Sequence, residues 1–210
     1  MIKPFLTSAL IAAAFWSASA GAESASPFGY PSTTLDAPAT LTEPPGGFVQ
    51  FGRETFTLGS ADLKSAAERY RAARLREGSG YFERDYSCFA GTEGGRPMIV
   101  WLIATASESI TEAQIEWAKD AQSVPRTCAR LAARDLPVRL GLTGLGMTEK
   151  EVAEHIGKPS HEDGFGWKFW FSQRFLKNAR GLEELELNWL GLKFKEGRVV
   201  RGFASFTRNP

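Results

Sequence analysis

Two cysteines, Cys88 and Cys128, are the residues of this chain best suited to covalent chemistry. Such a pair either forms a cross-link in an oxidising compartment or offers a thiolate nucleophile. The first reading is a single structural Cys88–Cys128 disulfide, and free or catalytic thiols are the alternative. His155 and His161 are the only histidines, with Glu162 and Asp163 beside the second. One falls in an expected helix and the other in the loop after it, which is not a recognised metal spacing. No Gly-x-Ser-x-Gly elbow surrounds a serine, and Ser79 lies in a Gly-Ser-Gly turn. The Gly-rich run from Gly91 to Gly95 lacks the following helix and the Lys-Ser/Thr pair of a phosphate cradle. These residues assign no catalytic group, no metal and no cofactor.

Recognition chemistry has better candidates. In a strand over Phe165 to Phe171, alternation puts Phe165, Trp167, Phe169 and Phe171 on one face and Lys168 and Trp170 on the other. The first set is expected in the core. Trp170, with Lys168, is expected on the face turned away from the helices, where an aromatic can anchor an interface; core or second-layer packing is its other reading. Arg84 and Tyr86 share a face with Phe82 and Cys88, while Glu83 and Asp85 lie opposite with Tyr81, so this strand presents either a binding surface or a solvated one. Trp189, in step with Leu185 and Leu187, is expected in the core.

The elements that must position these residues follow from periodicity and breakers. Lys3 precedes an apolar run ending near Trp16 and small-residue cleavage signals at Ala18-Ser19-Ala20 and Ala20-Gly21-Ala22, the form of a signal peptide over residues 1–22. The run is too short to span a bilayer, and no cysteine follows it to take a lipid anchor. Residues 23–47, interrupted by Pro27, Pro31, Pro38, Pro44 and Pro45, read as a flexible tether on which Phe28 and Tyr30 either dock or serve as a recognition element. A bent strand is expected over Phe48 to Leu58. A helix capped by Ser60 is expected to run to about Arg76, with Leu63, Ala66, Ala67, Tyr70, Ala73 and Leu75 on its apolar stripe. Tyr81 to Ala90 and Pro97 to Ala106 form a hairpin about the Gly-rich turn. The segment 110–119 is read as strand, although Ser109 and Glu112 also fit a helical capping box. Cys128 is placed in a short helix over Arg126 to Arg134.

Further along, Thr148 caps a helix ending at Ile156. Glu151 reaches back to it, Met147 and Val152 form a hydrophobic staple, and Gly157 and Pro159 end it. Strands near Phe165 to Phe171 and Leu185 to Trp189 follow, then a hairpin over Leu192 to Phe206 turning at Lys195-Glu196-Gly197. The matching order of elements, with Leu58-Gly59 and Leu145-Gly146 entering the two helices, predicts a duplication: 48–135 as one repeat and 136–210 as the second. The expected fold class is α+β, with two diverged helix-plus-three-strand repeats whose short helices pack on one face of an antiparallel sheet.

The segment Leu145-Gly146-Met147-Thr148-Glu149-Lys150-Glu151-Val152 with Gly157-Lys158-Pro159, then Trp167-Lys168-Phe169-Trp170 and Leu192 to Val199, resembles the BamE-type (SmpA/OmlA) outer-membrane assembly lipoproteins. The same unit in tandem resembles the beta-lactamase inhibitor protein fold. The resemblance implies helices on one sheet face and the other face free for a protein partner. The absence of the lipid-attachment cysteine sets this chain apart from the lipoproteins.

Charge is nearly balanced, with 25 basic and 24 acidic residues and a formal net charge of +1. This gives no electrostatic case for nucleic acid or an anionic membrane. The sequence is therefore read as an exported, periplasmic or secreted, non-catalytic module that binds another envelope or extracellular protein through its sheet. The competing readings are a hydrolase whose site only the fold assembles and a structural component of the envelope.

Overall fold

The computed structural model describes residues 26–80, 83–105 and 107–209. The signal-peptide segment and the expected strand start at Tyr81 and Phe82 lie outside them. A long apolar run flanked by glycines makes the centre of the molecule. β4 (Arg84–Glu93) and β5 (Arg96–Thr105) turn on Gly94 and Gly95, both at positive φ, and pair over their full length. β5 is buried on both sides from Met98 to Ala104, as a central strand covered on two faces must be. β6 (Glu112–Trp117) continues the sheet, so the 110–119 segment is strand.

β6 then pairs with β12 (Arg198–Asn209), which pairs with β11 (Glu183–Lys195), which pairs with β10 (Trp167–Lys177). With β3 (Arg74–Glu77) and β9 (His161–Glu162) at the edges, the order is β3-β4-β5-β6-β12-β11-β10-β9, and β7 (Ala129–Arg130) lies parallel to β4. A second, three-stranded sheet, β2-β1-β8, is built from β1 (Phe48–Phe51), β2 (Glu54–Thr57) and β8 (Val138–Leu140). Two α-helices are present among the described residues, α1 (Leu63–Tyr70) and α2 (Glu149–Ile156), each eight residues long.

This corrects the expected architecture. The chain is mostly antiparallel β and does not fold as two helix-plus-three-strand repeats with helices covering a sheet. Two eight-residue helices are each about 12 Å long, whereas eight strands side by side span about 35 Å. Helices of that size cannot cover such a face. Most of the cover comes instead from the small sheet, whose strands are drawn from both halves of the sequence. Val49, Phe51, Phe56, Val138 and Leu140 pack there against Phe89, Val100, Leu102, Ile115, Leu190 and Leu192, with Leu63 and Val152 from the helices. The side facing this core is called the inner face below.

Local corrections have local causes. α1 is capped by Asp62, whose Oδ1 accepts the Ser65 N–H at 2.7 Å, and not by Ser60. It ends at Tyr70 because Arg71 adopts a left-handed conformation at φ 55°, and Leu75 belongs to β3. The helix expected over Arg126 to Arg134 is β7 followed by a 3₁₀ turn at Ala133–Asp135. α2 matches its sequence signals. Thr148 Oγ1 accepts the Glu151 N–H, Glu151 Oε2 accepts the Thr148 N–H at 2.7 Å, and Gly157 at φ 76° closes the helix.

Candidate functional site

The outer face of the large sheet carries three kinds of surface side by side. On β4 and β5, Tyr86, Cys88, Ala90, Ile99, Trp101 and Ile103 form an apolar patch closed by Val124 and Cys128 of the loop after β6. The Cys88–Cys128 disulfide ties that loop down and leaves no free cysteine among the described residues. On β10 and β12, Trp167, Phe169 and Phe203 form a second patch with Ala37. Gly191 on β11 makes it possible, because a Cβ there would lie 2.2 Å from Cε1 of Phe203. Between the patches, β6 turns two polar side chains outward, Glu112 and Gln114, and both are buried.

The N-terminal segment covers this centre. The sequence allowed Phe28 and Tyr30 to dock, and they do, so residues 26–47 do not lie apart from the body as a free tether. The Phe28 ring packs edge-on to Trp101 and beside Trp167, each at 6.2 Å, with the Arg201 guanidinium 4.7 Å from its centre. The Gln114 amide reads the Phe28 backbone in both directions, accepting its N–H at 2.8 Å and donating to its carbonyl at 2.9 Å. Tyr30 packs on Phe203 and donates its hydroxyl to Glu112, which also accepts from Gln114. Burial pushes the Glu112 carboxyl up, against these two hydrogen bonds and the nearby charge of Arg84. Burial, then the Glu112 charge, push the Tyr30 hydroxyl well above its ordinary range and keep it a donor.

Beyond Tyr30 the segment forms a 3₁₀ turn (Ser32–Asp36) and roofs a groove of about 850 Å³. Ser107, Ser109, Thr111 and Thr207 line it with Trp189 and Phe206. Past the groove the β10–β11 hairpin runs on uncovered. Register places Phe171, Gln173 and Phe175 of β10 beside Trp189, Leu187 and Leu185 of β11 on the outer face. Phe175 is 65% exposed and Leu182 at the tip 61%. The inner face of the same stretch is polar. Glu186 accepts from Arg174 and Arg208 at 2.6 Å each and from Asn188, and those bonds outweigh burial to hold its carboxyl low. The hairpin is thus amphipathic, with its apolar side open.

No family model, curated protein or solved structure matches the chain.

The residues singled out from sequence fall into two groups. Arg84 and Tyr86 share the outer face with Cys88, as alternation requires. Tyr86 is buried, and Arg84 pairs with Glu77 and donates to the Pro27 carbonyl at 3.4 Å, under the segment. Trp170 and Lys168 lie on the opposite, inner face, and here the expectation is corrected. Trp170 is 1% exposed in the main core and donates Nε1–H to the Gly157 carbonyl at the end of α2. Lys168 is held by Glu149 at 2.9 Å and Glu162 at 3.3 Å. Trp189, expected in the core with Leu185 and Leu187, borders the groove with all three only half-buried. Phe165, expected in the core, is 80% exposed in the turn before β10.

Sequence reasoning missed Glu112 and Gln114, although two polar residues at alternate positions of a strand were the available signal. His161 stacks on Phe169, and no group of three metal-ligating side chains occurs among the described residues.

Proposed function

We propose that this chain is an exported, non-catalytic module that binds another envelope or extracellular protein through the outer face of its large sheet, at the β10–β11 hairpin. One observation carries the reading: Phe175, Leu185 and Leu187 share the open face of a hairpin whose Arg174–Glu186–Arg208 cluster lies on the other face, with Leu182 exposed at the tip and the charged pair Lys177 and Glu183 bordering the strip. A solvated hairpin has no use for that polarity, whereas an interface does, since each large apolar side chain buried contributes about 1.5–3 kcal/mol. The strip continues into the groove beside Trp189, which gives a partner both a flat apolar contact and hydroxyls for orientation. The disulfide supports an oxidising compartment, and no described helix is long and apolar enough to cross a membrane. The likeness of the Leu145–Pro159 segment to envelope assembly lipoproteins supports the same setting.

The test is affinity capture from native envelope with mild crosslinking, comparing the parent with a Phe175→Asp, Leu187→Asp variant. A specific protein retained by the parent and reduced at least tenfold by the variant, at unchanged circular dichroism, is the expected result. Equal retention by the two forms would remove the hairpin from the interface.

A further inference from the structure

The inner core takes from the N-terminal segment a partly buried Leu41 packed against it, whereas the outer centre takes Phe28 and Tyr30. The main core draws its buried residues from Val49 onward, whereas the two outer patches have Phe28 packed against both. The segment joins no ladder of the large sheet beyond an isolated bridge between Leu41 and Ser172. Glu112 and Gln114, at 5% and 0% exposure, bond to each other and to Phe28 and Tyr30. A buried polar pair on a central strand costs free energy wherever its partners are missing. Here the partners come from outside the sheet, by backbone recognition, an aromatic slot and a hydroxyl acceptor. That is the form of a peptide-binding site.

We propose that the cleft holding Phe28-Gly29-Tyr30 is a recognition site for an extended peptide of a partner protein, one that presents an aromatic residue followed two positions later by tyrosine. This rests on the outer face being a protein-binding surface and names what part of that face reads. The chain's own segment fills the cleft as a resident copy of the ligand. Trp101, Trp167 and Arg201 select the aromatic ring, Gln114 pairs with its backbone, and Glu112 takes the tyrosine hydroxyl. Phenylalanine in place of tyrosine would leave the Glu112 carboxyl short of a donor, so the site discriminates between them by chemistry and not by size.

The experiment uses the full mature chain and a labelled peptide of residues 26–36. A Phe28→Ala, Tyr30→Ala variant, in which the resident segment is weakened, is expected to bind the peptide at least tenfold more tightly than the parent. Adding Gln114→Ala, or replacing the peptide tyrosine by phenylalanine, is expected to reverse the gain. A folded variant that binds no peptide overturns the proposal. If the variant does not fold, hydrogen exchange of the parent decides: a Phe28 amide exchanging well before β6 supports a displaceable segment, and one exchanging only with global unfolding overturns it. A parent that dimerises by exchanging segments, seen by light scattering, makes the occupant a second copy and overturns the assignment to a separate partner. Hairpin-dependent capture without peptide binding sinks this inference alone, and peptide binding without hairpin-dependent capture sinks the hairpin reading alone.

Discussion

Trp170 and Trp189 sit on neighbouring strands and face opposite ways, and their fates differ for that reason. Trp170 fills the inner core and caps the end of α2, so Trp170→Ala should cost about 3–5 kcal/mol and lower the melting temperature steeply. Trp189, stacked on Phe171 with ring centres 4.0 Å apart, borders the groove, and its truncation should cost much less. Comparable losses in thermal melts would mean that the groove side is packed as tightly as the core. Glu112 makes a second residue-scale prediction. Because burial raises its folded pKa above the unfolded value, its contribution is fully present below the ordinary carboxylate range and is lost as pH rises through the folded value. Glu112→Gln removes that loss. The melting temperature of the variant relative to the parent should therefore rise as pH climbs above the ordinary carboxylate range. Parallel curves would show that Glu112 does not titrate in that window.

Among the elements, the loop between β6 and β8 has little secondary structure of its own and depends on the disulfide. Cys88 and Cys128 are 40 residues apart, and closing that loop restricts the unfolded chain by about 3–4 kcal/mol. Cys88→Ser with Cys128→Ser should lower the urea midpoint accordingly, and a midpoint insensitive to reductant would contradict this. α2 was legible in the sequence because every signal for it is local: cap, return carboxylate, staple and terminating glycine lie within about a dozen residues. The β4–β5 and β11–β12 hairpins were legible for the same reason, since turn glycines and alternation are neighbours in sequence. α1 was read too long because nothing in the apolar stripe reveals that Arg71 turns left-handed. The 126–134 segment was misread because its strand exists only by pairing with β4, nearly 40 residues away.

At the scale of the whole molecule, the large sheet has one face completed by the small sheet and helices and another completed by the N-terminal segment. The two layers should separate. Phe28→Asp should release the start of the segment, raise binding of a hydrophobic dye and leave the far-ultraviolet circular dichroism nearly unchanged, because Phe28 packs on the two outer patches and not on the inner core. Global unfolding by that single change would show one indivisible core.

The sequence by itself determined the cysteine pair, the capped helix, the hairpins and the sorting of residues such as Trp167, Phe169 and Phe171 from Lys168 and Trp170. Alternation separates two sets but carries no sign, since period two is the same whichever face is covered. Only the tertiary structure decided which set faces the main core. That choice depends on where β1, β2 and β8 settle, and on an N-terminal segment whose own Pro-rich sequence reads as a tether. Those contacts join residues tens of positions apart, through packing that no local pattern records. For that reason Trp170, read from sequence as interface or packing, lies in the core, while Glu112 and Gln114 emerged as the polar centre of the opposite face.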